Sequence, residues 1–386
     1  MPNGQVILIV IDGLGTGFLP DAYNYGDTGS NTLQTIRRAG LQVNTLNRLG
    51  LYAICDGAQE CDKITGCYGK MKECSAGKDT VVGHWELSGV ITETAFPTYP
   101  NGFSPIIIKK LEDAFGRKVI GNVVASGTEI ISRLGAEHCR TGYPIVYTSA
   151  DSVLQIAAHE EVISIEELYE FCEKAREIMC GKDSVGRIVA RPFIGQDGNY
   201  TRTTNRKDYT ISPPENLLDL LTKQGVEVDA VGKIVNVFNN RGITSSVHTN
   251  GNTDGLMQTE KLLNRHGKKF VFVNLIDTDM LYGHRNDVEG YRRAVEEIDR
   301  WAGKIISQLA PEDLLILTGD HGCDPGYSGT DHTREYPPLM VYGPNIKKGV
   351  NLGIRSTFSD VSATILDYFD VPNSLKGTSF LQDILV

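Results

Sequence analysis

Three stretches of the chain are apolar without polar alternation, and an acidic residue closes or closely follows each one. They cover residues 6–11, 269–277 and 313–321 and contain mostly β-branched and aliphatic side chains. Such a run fits a central strand of a parallel sheet, which is buried on both faces. Because ligands bind outside the carboxyl ends of parallel strands, we expect the acids to line a site there. These acids are Asp12, Asp279 and Asp320.

A helical repeat of apolar positions separates the second and third of these runs. In residues 288–309 the apolar side chains recur at three- and four-residue spacing, among them Val295, Ile298 and Ile305. This spacing predicts an amphipathic helix. Strand, helix and strand in this order predict a right-handed parallel crossover. The predicted fold class is therefore α/β, with a central, mostly parallel sheet flanked by helices.

The middle of the chain, residues 96–209, has apolar runs and a helical pattern of its own. Residues 118–120 and 144–147 are predicted strands. Residues 164–180 are a predicted helix with Ser164 at its N-cap. We therefore expect an inserted α+β domain within a core domain. The core domain is formed by residues 1–95 and 210–386.

Composition and charge restrict the class of partner. The 386 residues are 40% hydrophobic and 22% charged, which is typical of a globular protein and excludes a disordered chain. The formal net charge of −10 argues against nucleic acid or an anionic membrane bound through a broad basic face. The apolar run 6–11 is far shorter than the ~20 residues of a membrane-spanning helix, and residues 1–5 lack the basic flank of a signal peptide. These features predict a cytoplasmic protein that is a monomer or weak oligomer.

The chain has eight cysteines, and four of them are bunched between residues 55 and 74. None of the four forms a Cys-x-x-Cys pair and no histidine lies among them, whereas structural zinc sites usually pair ligands two to four residues apart. Free thiols in a reducing compartment are the favoured interpretation, with metal or redox use as the alternative. The four are Cys55, Cys61, Cys67 and Cys74.

Three of the eight histidines fall among the acids of the last third of the chain. Mixed carboxylate and imidazole ligands suit Mn²⁺, Zn²⁺ or iron, whereas Ca²⁺ takes all-oxygen sites. Together with the three acids they are enough for two ions, which at about 3.5–4 Å apart can clamp both oxygens of an in-line phosphoryl displacement. The candidate ligands are Asp12, Asp279, His284, Asp320, His321 and His332.

Two phosphate-binding motifs are absent from the sequence, and a candidate nucleophile is present. The glycines of 13–17 fail the dinucleotide fingerprint because its third glycine falls at Phe18, and no P-loop pattern occurs. Thr80 follows a glycine-containing loop at a predicted helix start, where free backbone N–H groups would hold a phosphoryl group against its hydroxyl. The alternative is that Asp79 or Thr80 is an ordinary N-cap.

These motifs together resemble the alkaline phosphatase superfamily. The resemblance rests on Asp12 after a strand, on residues 78–86 (KDTVVGHWE), and on the acid–histidine pairs around 279–284, 320–321 and 331–333. More narrowly, the chain resembles the bacterial phosphopentomutase family. This narrower resemblance spans nearly the whole chain. The sequence segments that carry it are 125–130, 147–153, 155–160, 190–193 and 231–234.

The resemblance implies an alkaline-phosphatase-like core with an inserted cap, and interconversion of (deoxy)ribose 1-phosphate and 5-phosphate through a sugar 1,5-bisphosphate. Thr80 would be the phosphorylated residue, and a sugar bisphosphate such as glucose 1,6-bisphosphate the primer. A phosphatase or phosphoglycerate mutase of the same superfamily is the alternative, and a non-catalytic sugar-phosphate sensor is disfavoured. The implied Mn²⁺ ligands are Asp279, His284 and His332 for one ion and Asp12, Asp320 and His321 for the other. The implied substrate residues are Ser149, Asp151, Arg191, Arg202 and Lys233.

Three single positions and one segment depart from the pattern of that family. Gly13 stands where serine is common, and Asn31 and Asn236 stand where aspartates are customary. Residues 15–21 (GTGFLPD) differ from the usual GIGEAPD. None of these departures removes a predicted ligand or Thr80.

Overall fold

The computed structural model describes residues 4–55, 63–149, 152–265 and 267–386. The chain divides into two compact units. We call Met1–Thr94 together with Pro213–Val386 the core unit, and Ala95–Ser212 the inserted unit. The predicted insertion, 96–209, lies within the second of these.

The described residues form strands and helices as follows. The strands are β1 (Gln5–Ile11), β2 (Cys67–Met71), β3 (Ile120–Val124), β4 (Ile145–Thr148), β5 (Val153–His159), β6 (Arg187–Gln196), β7 (Asn199–Arg202), β8 (Lys207–Thr210), β9 (Glu227–Val231), β10 (Ser245–Val247), β11 (Lys269–Leu275), β12 (Leu314–Thr318), β13 (Pro338–Tyr342) and β14 (Asn351–Arg355). The helices are α1 (Thr32–Arg38), α2 (Thr45–Arg48), α3 (Thr80–Leu87), α4 (Pro105–Phe115), α5 (Gly127–Thr141), α6 (Ile165–Ile178), α7 (Leu217–Lys223), α8 (Ile234–Val237), α9 (Asn252–Leu263), α10 (Val288–Ile306), α11 (Ser359–Tyr368) and α12 (Leu381–Ile384).

The core unit is built on one sheet with the strand order β10-β9-β11-β1-β12-β13-β2-β14. The first five strands of this order are mutually parallel, and β13 runs antiparallel to both of its neighbours. All three predicted apolar runs are in this sheet, with β1 between β11 and β12. Val10 of β1 pairs with Asn274 on one side and with Thr318 on the other, so the three strands end at the same edge. The predicted α/β class with a mostly parallel sheet is confirmed.

Burial explains why these strands show no alternation in sequence. Every residue of β1, β11 and β12 is buried, so a polar side chain has no solvent-facing position along them. The helix predicted at 288–309 is α10, and its buried face packs into the apolar core that β1 also lines. The helix ends earlier than predicted, at Ile306, where the Ser307 hydroxyl donates to the carbonyl of Lys304 at 2.8 Å.

The inserted unit has its own sheet, with the order β3-β4-β5-β6-β7 and β8 paired to β6. Its apolar core is separate and includes side chains from α4, α6 and the central strands. The predicted helix at 164–180 is α6, and Ser164 caps it by accepting from the Glu167 N–H at 3.2 Å. The strand predicted at 118–120 is displaced, since β3 begins at Ile120 and pairs with β4 from that residue. Within the described ranges, no helix has the length and apolar character needed to span a membrane.

Candidate metal centre

The carboxyl ends of β1, β11 and β12 bring three acids to one edge of the core sheet. Asp12 directly follows β1, Asp320 lies just beyond β12, and Asp279 lies in a π-helical turn that begins three residues after β11. Asp12 and Asp320 are fully buried and Asp279 is 5% exposed. The parallel register therefore places these side chains in the interior, where their charge must be compensated.

One group of candidate ligands consists of Asp12, Asp320 and His321, whose ligand atoms lie within 4.8 Å of one another. His321 Nε2 is 3.3 Å from Asp12 Oδ1 and 3.4 Å from Asp320 Oδ2. His321 Nδ1 is 2.9 Å from the carbonyl of Gly322 and donates to it. This hydrogen bond leaves Nε2 free to face the carboxylates, which is the usual arrangement of a metal-binding histidine.

The second group is centred on Asp279. Its Oδ1 is 3.2 Å from His332 Nε2 and its Oδ2 is 3.3 Å from His284 Nε2, while the two Nε2 atoms are 3.1 Å apart. His284 Nδ1 donates to the carbonyl of Thr330 at 2.6 Å, so its Nε2 also points inward. Sequence reasoning missed Cys323, whose thiol lies with Asp279 and His284 in a group of possible ligands. Its position two residues after His321 was the available signal.

The carboxylates and imidazoles of these groups shift one another's pKa values. Burial, followed by the neighbouring charges of Asp320 and Asp279, raises the pKa of Asp12. Burial acts in the same direction on Asp279, but His332 and His284 outweigh it and hold the pKa of Asp279 well below its ordinary value. The hydrogen bond to Asp279 in turn raises the pKa of His284 to about 9.

Three buried carboxylate oxygens in this region accept no hydrogen bond from the described residues. Buried polar atoms normally have partners, so orphaned acceptors beside inward-facing imidazole nitrogens match the needs of divalent cations. The donor set is thus one that Mn²⁺, Zn²⁺ or iron would accept. The three atoms are Asp12 Oδ1, Asp279 Oδ1 and Asp320 Oδ2.

Thr80 is the first residue of α3 and its hydroxyl faces this centre. Thr80 Oγ1 lies 3.2 Å from His321 Nε2. Asp79 is the N-cap, as the alternative interpretation had it, and its Oδ1 accepts from the N–H groups of Val81 and Val82 at 3.0 and 3.2 Å. These N–H groups are therefore already used by Asp79, and the expectation that they stand free behind Thr80 is wrong. Capping fixes the helix start, and with it the position of the hydroxyl.

Gly83 allows α3 to pack directly on the strand end that carries Asp320. A Cβ at Gly83 would lie 2.3 Å from the backbone oxygen of Asp320 and 2.9 Å from its Cβ. No side chain fits at that distance. Glu86, the penultimate residue of α3, accepts from the N–H groups of Cys74 and Ser75 and from the hydroxyl of Thr357, all within 2.6–3.1 Å.

Arg334 supports the loop before Thr80 and was also missed by sequence reasoning. It is 2% exposed and donates to the carbonyls of Ser75 and Glu73 at 2.9 and 3.1 Å, while pairing with Asp21 at 2.9 Å. The loop contains Lys78, whose ammonium pairs with Asp27 at 3.1 Å. The sequence feature that could have identified Arg334 is its position two residues after His332.

The three single-position departures from the family pattern fit their local structure. Gly13 has a φ of +80° and its N–H donates to Asp320 Oδ1 at 3.2 Å, so its backbone conformation favours glycine. Asn31 caps α1 by accepting from the Gln34 N–H at 2.9 Å, as an aspartate could. Asn236 is exposed on α8.

The predicted substrate residues are divided between the units. Ser149, Arg191 and Arg202 lie in the inserted unit, and Lys233 precedes α8 in the core unit. Asp151 lies outside the described residues. The structure therefore brings together all six predicted ligands and Thr80, whereas the substrate residues form no single cluster within one unit.

Arg191 and Arg202 come near each other in the inserted unit. Arg191 Nε donates to Gln155 Oε1 at 3.1 Å, and burial, followed by the charge of Arg206, lowers the pKa of Arg191. A Cβ on Gly127, the first residue of α5, would lie 3.5 Å from Arg202 Nη1 and 2.8 Å from the hydroxyl of Tyr147. That hydroxyl is buried and has no hydrogen-bond partner among the described residues.

The bunched cysteines form no disulfide in the part of the chain that the structure describes. Cys67 and Cys74 are free thiols, in line with the favoured interpretation, and Cys61 lies outside the described residues.

Comparisons with known proteins decide the family. The family model described as the metalloenzyme superfamily matches residues 4–373. A phosphopentomutase of Caldanaerobacter subterraneus subsp. tengcongensis is 54% identical over 384 residues, covering 98% of each chain. A phosphopentomutase of Acetivibrio thermocellus is 52% identical over 386 residues, covering 99% of this chain and 100% of that protein. The chain belongs to the phosphopentomutase family.

Its superfamily membership also makes this chain a metalloenzyme, in agreement with the ligand groups described above. Among solved structures, the PH0037 protein from Pyrococcus horikoshii has a TM-score of 0.49 at 15% identity, covering 98% of this chain and 100% of that one. A TM-score this low supports no argument about the chemistry of the site.

The contact at Gly83 yields a testable expectation. Gly83→Ala should lower the free energy of unfolding by about 1–3 kcal/mol, because the new methyl group collides with the Asp320 backbone. It should also weaken Mn²⁺ binding, since Asp320 is a candidate ligand. Denaturant unfolding and calorimetric Mn²⁺ titration measure the two effects.

The matched control is Gly255→Ala, another glycine inside a helix, whose added methyl group would meet its nearest atom only at 3.2 Å. Both substitutions gain helix propensity. Equal stability and equal Mn²⁺ affinity in the two variants would contradict the packing role of Gly83.

Proposed function

We propose that this protein is a phosphopentomutase that interconverts ribose or deoxyribose 1-phosphate with the corresponding 5-phosphate. The observation that carries the proposal is the gathering of six candidate ligands at one sheet edge, with the hydroxyl of Thr80 3.2 Å from one of them, His321. The names of its relatives support the same activity. The direct test is ³¹P NMR of ribose 1-phosphate with the protein and Mn²⁺. A signal of ribose 5-phosphate is expected, whereas inorganic phosphate alone would indicate a phosphatase instead.

We further propose that the centre holds two Mn²⁺ ions, with ligands divided as the resemblance implies. The orphaned carboxylate oxygens support more than one ion, and the candidate ligands form overlapping groups of three that share Asp279 or His321. Divalent ions there would supply neutralisation of the negative charge on a transferred phosphoryl group. The ligands are Asp279, His284 and His332 for one ion, and Asp12, Asp320 and His321 for the other.

In the proposed reaction Thr80 carries the phosphoryl group. The bond from phosphorus to Thr80 Oγ1 breaks as a bond forms to the free hydroxyl of the pentose monophosphate, whose proton passes to the released Thr80 Oγ1. The product is a pentose 1,5-bisphosphate. After the sugar reorients, Thr80 Oγ1 takes the other phosphoryl group and the sugar oxygen regains a proton. Capping by Asp79 supports the role of Thr80, since a fixed helix start orients the hydroxyl.

We propose that the inserted unit binds the phosphate that is not being transferred. Arg191 and Arg202 support this role because no carboxylate among the described residues pairs with either guanidinium, while Tyr147 offers an unused hydroxyl between them and the start of α5. Arginine and a helix start are both suited to phosphate. Ser149, Asp151 and Lys233 are proposed sugar-phosphate contacts on the resemblance alone.

A sugar bisphosphate such as glucose 1,6-bisphosphate is the proposed primer, because it can phosphorylate Thr80 without net consumption of substrate. The proposed setting is the cytoplasm, where pentose phosphates are produced and consumed by other soluble enzymes. Monomer or weak oligomer is the proposed state, with no nucleic-acid or membrane partner.

Metal content tests the two-ion proposal. Mn²⁺-loaded protein should contain two ions per chain by elemental analysis. Asp320→Ala and His332→Ala should each lose at least one ion and all turnover, because each removes a candidate ligand. The exposed His248 gives a matched control, since His248→Ala should keep both ions. One ion or none in the loaded wild type would contradict the proposal.

The role of Thr80 is tested by substitution and labelling. Thr80→Ala should bind Mn²⁺ and ribose 5-phosphate yet show no turnover, because it lacks the oxygen that accepts the phosphoryl group. Thr80→Ser keeps that oxygen and should keep some activity. After treatment with glucose 1,6-bisphosphate, mass spectrometry should find phosphate on the peptide containing Thr80. Phosphate on a different residue, or full activity of the alanine variant, would refute the assignment.

The proposed phosphate-binding site in the inserted unit is tested by substituting Tyr147. Tyr147→Phe should raise KM for ribose 1-phosphate about tenfold, because one hydrogen bond to a charged group is lost. Tyr209→Phe is the matched control, since Tyr209 also has a buried hydroxyl without a partner among the described residues of this unit. Arg191→Ala should have a larger effect than Tyr147→Phe. If the Tyr147→Phe and Arg191→Ala variants both had the KM of the wild type, the proposed phosphate-binding site would be excluded.

A further inference from the structure

His84 is a buried histidine to which neither the ligand groups nor the substrate residues assign a role. It lies one helical turn after Thr80 on α3 and is fully buried. Its ring stacks on that of Phe272 in β11, with the centroids 5.7 Å apart. A buried imidazole needs hydrogen-bond partners for both of its nitrogens. The partners of His84 are therefore informative.

The Nδ1 atom of His84 faces two acceptors. It lies 2.8 Å from the carbonyl oxygen of Thr80 and 3.0 Å from Asp320 Oδ2. Since neither of these oxygens carries a hydrogen in the carbonyl and carboxylate forms, Nδ1 must be the protonated nitrogen. This N–H group donates to the carbonyl of Thr80, while the carboxylate of Asp320, a candidate metal ligand, lies in close polar contact with the same nitrogen.

The Nε2 atom of His84 faces a donor. It lies 3.3 Å from Asn274 Nδ2, which also donates to Asp12 Oδ2 at 2.8 Å. The amide nitrogen has two hydrogens, one for each partner. The opposite amide orientation would set its oxygen against the carboxylate of Asp12. Asn274 Oδ1 has no partner among the described residues, so Asp12 and His84 determine the orientation.

Hydrogen bonds therefore connect Asp12 through Asn274 and His84 to Thr80, and His84 Nδ1 also lies in close polar contact with Asp320 Oδ2. We infer that His84, oriented by Asn274, is a positioning residue that holds Thr80 in register with the carboxylates of Asp12 and Asp320. His84 touches no reacting atom, because its contact is with the carbonyl of Thr80 and not with Oγ1. The inference rests on the proposed function for the role of Thr80, but its effect on the carboxylates is independent of it.

The hydrogen bonds of His84 explain why Gly83 is followed by a histidine in the sequence, which the metal ligands alone do not. Gly83 brings α3 against the backbone of Asp320, and the next residue then reaches the carboxylate of the same aspartate. Outer-sphere partners of this kind orient ligands, and their loss typically costs 10–100-fold in metal affinity or activity. A comparable effect is expected here.

The test compares His84→Leu with His84→Asn. Leucine fills the space without a donor, whereas asparagine can place an amide N–H near the position of Nδ1. For His84→Leu we expect kcat to fall about 100-fold with little change in KM for ribose 1-phosphate, and Mn²⁺ affinity to fall about tenfold. His84→Asn should recover at least about tenfold of the loss in kcat. The rate at which glucose 1,6-bisphosphate phosphorylates Thr80 should likewise decrease from the wild type to His84→Asn and then to His84→Leu.

Two further variants make the outcome decisive. Asn274→Leu should weaken Mn²⁺ binding, because Asp12 Oδ2 loses its donor, and this remains measurable if His84→Leu does not fold. His138→Leu removes a buried histidine from the inserted unit and controls for general destabilisation, so its Mn²⁺ affinity should equal that of the wild type.

Wild-type kcat and Mn²⁺ affinity in folded His84→Leu would overturn the inference. So would a His84→Asn variant no better than the leucine variant at equal melting temperature. If the wild type fails to interconvert pentose phosphates, the proposed function fails, but the Mn²⁺ affinities of the His84 and Asn274 variants still decide whether His84 and Asn274 orient the carboxylates.

Discussion

The structure depends on one electrostatic constraint, which is the burial of three carboxylates at the ends of adjacent parallel strands. Asp12, Asp279 and Asp320 have almost no contact with water, and each leaves an oxygen without a hydrogen-bond donor among the described residues. Burial and like charges together raise the pKa of Asp12, whereas neighbouring imidazoles lower the pKa of Asp279 and of Asp320. Imidazoles and divalent cations relieve this cost, so the fold is prepared for metal before any substrate arrives.

The elements around the carboxylates serve to hold a hydroxyl beside them. Gly83 lets α3 approach Asp320 closely, and Asp79 fixes where that helix begins. Arg334 and Glu86 use buried charge to bind the backbone of the loop that precedes Thr80. A buried charge is stabilising only when its hydrogen bonds are satisfied, which is the case for both. The result is a short helix whose first residue has little freedom to move.

The inserted unit shows the opposite arrangement of charge. It has its own apolar core and sheet, so its folding does not require the carboxylate cluster. Arg202 lies near the start of α5, and neither Arg191 nor Arg202 pairs with a carboxylate among the described residues. These arginines are a local concentration of positive charge in a protein whose net charge is −10.

The sequence by itself determined the central strands, the α/β class, the six candidate ligands and the inserted segment. Strands buried on both faces are apolar throughout, and an acid directly after such a run is visible without a structure. Tertiary structure alone decided the contacts of Cys323, Arg334 and His84. Arg334 reaches a carbonyl 259 residues away, and His84 meets Asp320 because Gly83 lets α3 pack against the end of β12. Such partners are set by strand order and close packing, which leave no periodic signal along the chain.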